Sequence, residues 1–146
     1  MMNPQDVDIR VLLPQQPPMV MVDWLLSADE KTAVTSLLVQ KDNLFVTDGA
    51  LNAYALIEVM AQTCAAQLGY MDYLVGNHNV RIGYVGSVKR MRVDDVPKVG
   101  ETLTTHVEVL EEVMDMKLVS AKSYVGNQLL ATAELSIVLS GEKVKV

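Results

Sequence analysis

The stretch Asp42–Gln62, DNLFVTDGALNAYALIEVMAQ, places one carboxylate, Glu58, among apolar neighbours. Tyr54 stands four residues before it and Gln62 four after. On an α-helix that spacing sets the three side chains one above the next on a single face. Buried polar groups need partners, so such a stripe is out of place against a dry core. The carboxylate therefore has two readings: a group of a working or vestigial site, or a structural charge that meets a basic side chain of a partner subunit. Gln62 can hydrogen-bond to Glu58 or simply pack at a dimer contact.

A helix has to carry this stripe, and the apolar pattern supplies one. Leu56, Ile57, Met60, Ala61, Cys64, Ala65 and Leu68 recur at spacings of three and four, the mark of an amphipathic helix. It is expected to start at Leu51, with Asn52 or Asp48 as its cap, and to fade between Gly69 and Gly76. Upstream, LLPQQPPMVMVDWLL holds three prolines in five residues, which forbids a regular helix there. A strand over Met19–Ser27, the turn ADEK and the β-branched run TAVTSLLVQ read as a hairpin. Downstream of the loop GNHN, four alternating segments read as strands in a meander: VRIGYVGSVKRMRV, ETLTTHVEVLEEV, MDMKLVSAKSYV and QLLATAELSIVLS. One long helix between two strands and four is buried only if a single antiparallel sheet covers it, so the expected class is α+β.

Composition bounds the rest. A chain of 146 residues, 50% hydrophobic, can bury one good core, so one domain over 1–146 is expected. The formal net charge is −6 and the 12 basic residues are scattered, which excludes a nucleic-acid footprint. Cys64 is the only cysteine and reads as a small packed side chain in a reducing cytosol. The start, MMNPQDVDIR, lacks the basic end and apolar run of a signal peptide, and no long uncharged apolar stretch follows, so a cytoplasmic protein without a membrane span is expected. Neither a metal nor a cofactor enters the reading. Met19, Met21, Met60 and Met71 read either as ordinary core fillers or as the lining of an adaptable acyl pocket.

Four patches, in order and over nearly the whole length, resemble the hotdog-fold β-hydroxyacyl-acyl-carrier-protein dehydratases of fatty acid synthesis. They are LLPQQPPMVMVD, IEVMAQ, GSVKRMRVDDVPKVGETL and GNQLLATAELSIVL. The resemblance implies a six-stranded antiparallel sheet wrapped around one central helix, a dimer, and removal of water from a 3-hydroxyacyl thioester carried on acyl carrier protein or coenzyme A. In that family a histidine takes the C2 proton, a carboxylate on the helix helps the 3-hydroxyl leave, and amides at the helix N-terminus polarise the thioester carbonyl. Glu58 falls at the carboxylate position.

The histidine positions are another matter. The loop before the helix reads LFVTDGALNAYA where the family has histidine-phenylalanine-proline-glycine, and Gln15 and Gln16 stand where the proline-rich motif has histidine and arginine. The loop likens the chain most to dehydratase-like proteins of aryl-polyene and other secondary lipid pathways. Of the two histidines, His78 reads as a loop residue and His106 as a strand-surface residue. Asp48, the ionisable group nearest the helix start in that loop, reads as a turn or capping residue, or as a base if Gly49 and Ala50 amides hold the carbonyl. Tyr54 and Gln62 are the expected substrate-side neighbours. Three functions follow: a 3-hydroxyacyl thioester dehydratase with Glu58 as acid and a base from Asp48 or another subunit; a hotdog protein that has lost the base and binds acyl chains or pairs, as a heterodimer, with an active relative; and, more weakly, an acyl thioesterase.

Overall fold

The computed structural model describes residues 3–145. Two single 3₁₀ turns, Pro4–Asp6 and Ile9–Val11, lead into the proline-rich segment. Then come β1 (Trp24–Ala28), β2 (Thr32–Leu38), a two-rung hairpin of β3 (Val46–Thr47) and β4 (Ala50–Leu51), and the helix α1 (Ala55–Leu74). β5 (Asn79–Val93), β6 (Thr102–Val113), β7 (Met116–Val125) and β8 (Gln128–Lys145) complete the chain. Six strands form one antiparallel sheet in the order β1-β2-β6-β7-β8-β5, and α1 lies against its inner face. This is the hotdog arrangement implied by the resemblance.

Alternation along the strands decides which side chains meet the helix. Ala33 and Leu37 of β2, Leu103 and Val107 of β6, Val119 and Ala121 of β7, and Ala133 and Leu135 of β8 all point inward and are buried. From the helix, Leu56, Val59, Met60 and Ala66 meet them. Each large apolar side chain buried this way contributes about 1.5–3 kcal/mol. One rung of the inner face is polar: Thr35, Thr105 and Ser123 lie in register across β2, β6 and β7. Their hydroxyls are paired, Thr35 with Thr63 of the helix at 2.8 Å and Thr105 with Ser123 at 2.8 Å.

The structure corrects the expectations at four places. Met19–Val22 is not strand, and β1 begins only at Trp24. Prolines exclude the approach to it from a ladder, and a side-chain amide takes over two of its backbone groups. The four downstream strands are not one meander, because β5 pairs with β8 at the sheet edge and only β6, β7 and β8 run hairpin to hairpin. The helix starts at Ala55, four residues after the expected Leu51, which belongs to β4. Asp48 and Gly49 have φ of 53° and 79°, the backbone of a two-residue hairpin turn, for which Asp-Gly is well suited. Asp48 therefore turns a hairpin and does not cap the helix. The residue at the cap position is Tyr54, whose side chain makes no cap bond; Asn52, two residues earlier, accepts from the Tyr54 amide through its Oδ1 at 2.8 Å.

The proline-rich segment lies along the helix at close range. Leu12 and Leu13 are fully buried, and a Cβ at Gly69 would run into the Leu12 carbonyl. Alanine is the better helix former by about 1 kcal/mol, but here its methyl would meet backbone, which cannot rotate away. Gly69→Ala is expected to lose about 1–3 kcal/mol of stability in chemical denaturation, against the gain that propensity alone gives.

Candidate active site

Glu58 is half-buried on the helix face that the sheet leaves open, and Ala61, Cys64, Ala65 and Leu68 continue that face. Opposite lie β5 from Arg81 to Val85, with Lys117, Val119, Ile137 and Leu139 from β7 and β8, while Pro14 and Gln15 close one side. The space between them is a cavity of about 390 Å³, partly open to solvent. Its walls are mainly apolar, and Glu58 is the only carboxylate in them. The register places Lys117 opposite Ile137, and Ile137 opposite Val85, so the lysine points in from the cavity side of the sheet.

One buried amide holds the carboxylate. Gln62 Nε2 donates to Glu58 Oε1 at 2.8 Å and to the Met19 carbonyl at 2.9 Å. Gln62 Oε1 accepts from the Met21 amide at 2.6 Å. Gln62 is fully buried, and its bond to the Met21 amide is made where water does not compete for it. The expected pair of Glu58 and Gln62 is thus formed, with Gln62 turned toward the proline-rich segment and not into the cavity wall. Tyr54 departs from the stripe: it is 82% exposed, because the helix begins beside it and the sheet does not reach that far.

Asp48, Gly49 and Ala50 stand away from the cavity of their own chain. Asp48 and Gly49 are exposed at the hairpin tip, and the Gly49 carbonyl accepts from the Val99 amide at 2.9 Å. The helix start does not present a row of free amides either. Tyr54 N–H is held by Asn52 Oδ1, and Ala55, Leu56 and Ile57 N–H by the carbonyls of Asn52, Ala53 and Tyr54. His78 is exposed in the loop after the helix, edge-on to Tyr73 with ring centroids 4.7 Å apart. His106 lies on the outer face of β6, edge-on to Tyr124. Neither histidine is part of the cavity wall.

None of these four methionines is in the cavity wall: Met21 and Met60 are buried in the core, Met71 packs against it, and Met19 is exposed. Cys64 does reach the cavity wall. Burial pushes its thiol up to about 12, with Lys117 pulling weakly the other way, so it stays protonated at neutral pH and is no nucleophile there. Sequence reasoning missed Gln15, Gln67, Arg81 and Lys117 as cavity residues. They come from four separate segments, the proline-rich stretch, α1, β5 and β7, and no spacing within one segment announces them. Arg81 is fixed by a two-point ion pair to Asp72 near the helix end, both contacts 2.9 Å. Among the described residues no cluster suited to a metal ion is found, and no helix is long and apolar enough to cross a membrane.

A sheet wrapped on one helix, with a single carboxylate facing an apolar cavity, defines a hotdog protein of the dehydratase type. A family model described as ApeP-like, ApeP dehydratase, matches residues 7–145, and the chain belongs to that family. A 3-hydroxyacyl-[acyl-carrier-protein] dehydratase, FabZ, of Thermoanaerobacter pseudethanolicus is 27% identical over 146 residues, spanning 94% of this chain and 99% of that protein. A second FabZ, from Clostridioides difficile, is 26% identical and spans 90% of this chain and 94% of its own. Among solved structures, a chain of the dehydratase heterocomplex ApeI:P from Xenorhabdus doucetiae superposes with a TM-score of 0.86 at 18% identity, covering 93% of each chain.

The bonds of Gln62 separate two kinds of mutation. Gln62→Leu leaves the buried Met21 amide without a partner, at about 1–3 kcal/mol, and removes the bond to the Met19 carbonyl as well, so it should be destabilising in denaturant. Glu58→Gln keeps an acceptor for Gln62 Nε2 and should leave stability unchanged or slightly higher. A loss above about 2 kcal/mol in Glu58→Gln would mark Glu58 as half of a structural ion pair.

Proposed function

We propose that the chain binds 3-hydroxyacyl thioesters, on acyl carrier protein or coenzyme A, in the cavity beside α1 and takes part in their dehydration. The observation that carries this reading is Glu58: one carboxylate, oriented by one buried amide, opening into a largely apolar cavity. In this reading the C2–H bond breaks, its electron pair becomes the C2–C3 double bond, and the C3–O bond breaks as Glu58 gives its proton to the departing hydroxyl. The products are a 2-enoyl thioester and water. A base for C2 must stand within hydrogen-bond reach of that proton, and this chain's cavity contains no second carboxylate and no histidine.

The base then comes from a second hotdog subunit. β5 leaves one edge of the sheet unpaired beside the cavity, with Gly83 to Gly86 exposed. An edge of this length calls for a covering partner. Two copies joined along β5, helices side by side, would enclose the cavity, and the exposed tip at Asp48 and Gly49 could then serve the other copy's Glu58. A related chain in place of the second copy could supply a histidine; the heterocomplex described for ApeI:P favours this form. A single hotdog domain acting in the cytoplasm of a lipid-synthesising cell fits both.

The first test is oligomeric state: a dimer is expected in sedimentation at micromolar concentration, and a monomer would remove the shared site. The second follows formation of the 2-enoyl thioester by its ultraviolet absorbance from carrier-linked 3-hydroxyacyl substrates. A positioned base contributes about 10²–10⁴ in rate, so the chain alone should bind substrate yet turn over slowly or not at all. Residual activity should vanish in Glu58→Gln, fall in Asp48→Asn, and survive in His78→Ala. Turnover by the chain alone at the usual enzymatic scale of about 1–10³ per second would contradict this reading.

A further inference from the structure

The outer face of the sheet, turned away from α1, carries an apolar row that no other element of the described chain covers. Val113, Met116, Val138 and Tyr84 stand in register across β6, β7, β8 and β5. Lys117, Ile137 and Val85, the next residues along β7, β8 and β5, line the cavity, so this row points the other way. Its four side chains are 39% to 54% exposed, and Met114, in the turn between Val113 and Met116, is 93% exposed. Exposed apolar side chains scattered singly are ordinary, but a continuous row of them across four strands marks a surface that something else covers.

The charges on the same face decide what that is. Glu108 on β6, Ser120 on β7, Glu134 on β8 and Lys89 on β5 form a parallel row, again in register. Arg90 takes Glu134, whereas among the described residues neither Glu108 nor Lys89 belongs to an ion pair. Those two cannot meet within one chain, because β7 and β8 hold their strands about 14 Å apart, three steps of about 4.8 Å. The face is therefore acidic at its β6 end, with Glu108 and Glu111, and basic at its β5 end, with Lys89 and Arg92. A partner of one charge matches one end and is repelled at the other. A second copy, turned about an axis that runs along the strands between β7 and β8, lays β6 on β5 and β7 on β8. The apolar row then meets itself, and Glu108 meets Lys89 at both ends. The row of His106, Lys122, Thr132 and Arg92 adds no attraction, since it sets His106 on Arg92 and Lys122 on Thr132. An axis across the strands would instead lay each strand on its own copy and oppose like charges. We propose that this outer face docks a second copy of the chain, with Met116, Val138 and two Glu108–Lys89 pairs at the contact. The contact is additional to the pairing along β5. Copies joined by both would form an open series, whereas a related chain on each β5 edge closes the assembly at two copies of each.

The test is sedimentation of the full chain alone, at low salt, from micromolar to millimolar concentration. Glu108→Lys, Lys89→Glu and Met116→Glu should each weaken self-association by about 10-fold or more, because each sets like charges or a bare charge at the contact. The double variant Glu108→Lys with Lys89→Glu should return to within about 3-fold of the unaltered protein. Since the two side chains are too far apart to pair within one chain, that return reads a contact between chains. All three positions are exposed, so the melting temperature of the dilute protein should not move. Association that ignores all three substitutions, or a double variant as weak as the single ones, would overturn this face and leave the pairing along β5 standing. A protein that stays monomeric at every concentration would overturn both.

Discussion

The structure turns on a single buried amide. Prolines 14, 17 and 18 keep the segment before β1 out of any ladder, yet that segment has to lie against the helix to close the core. Its backbone groups must then find side-chain partners, and Gln62 provides one acceptor and one donor in the same place. The same nitrogen that takes the Met19 carbonyl also holds Glu58. Core closure and carboxylate placement are therefore one arrangement, and neither can be moved without the other. The energies agree with this priority: orphaning the buried Met21 amide would cost about as much as one large apolar side chain in the core contributes.

A second fastening acts at the other end of the helix. Asp72 sits in the last turn, where the helix dipole disfavours negative charge, and Arg81 at the start of β5 offsets it with a two-point pair. Gln67 ties the middle of the helix to the β1–β2 turn through the Asp29 carbonyl at 2.8 Å. The turn itself is closed by the Asp29 carboxylate, which accepts from the amides of Thr32 and Lys31; those bonds hold its carboxyl below the usual range. With Gln62 and Gly69, these ties span the helix from one end to the other. What they leave free is the face bearing Glu58, Ala61, Ala65 and Leu68.

Much of this was legible in the sequence, for physical reasons that differ by element. The helix and the sheet strands follow from periodicity, since burial on one face must repeat at 3.6 or 2 residues. Glu58 and Gln62 could be paired because four residues make one helical turn. The helix start was misplaced because Ala50 and Leu51 are apolar enough to continue the helical pattern, while the hairpin turn at Asp48 and Gly49 outweighs it. The false strand at Met19 arose from alternation that a side-chain amide, not a neighbouring strand, satisfies. The far wall of the cavity was invisible, because Arg81 of β5 and Lys117 of β7 meet only through β8, which pairs with both, while Gln15 comes from the separate proline-rich segment, and such pairings are not written in any one strand alone.

That pairing also sets an order of events for the growing chain. β5 has a single neighbour in the sheet, and it is β8, the last of the six strands in chain order. When β5 leaves the ribosome, its only partner has not yet been made, and the hairpin of β6 and β7 can form while it waits. β8 must then slot between β7 and β5 to finish the sheet. The edge bordering the cavity is thus completed only after the hairpin of β6 and β7, and a closing step of such long sequence separation is slow by its nature. Any subunit that joins along this edge therefore needs β8 already in place beside β5.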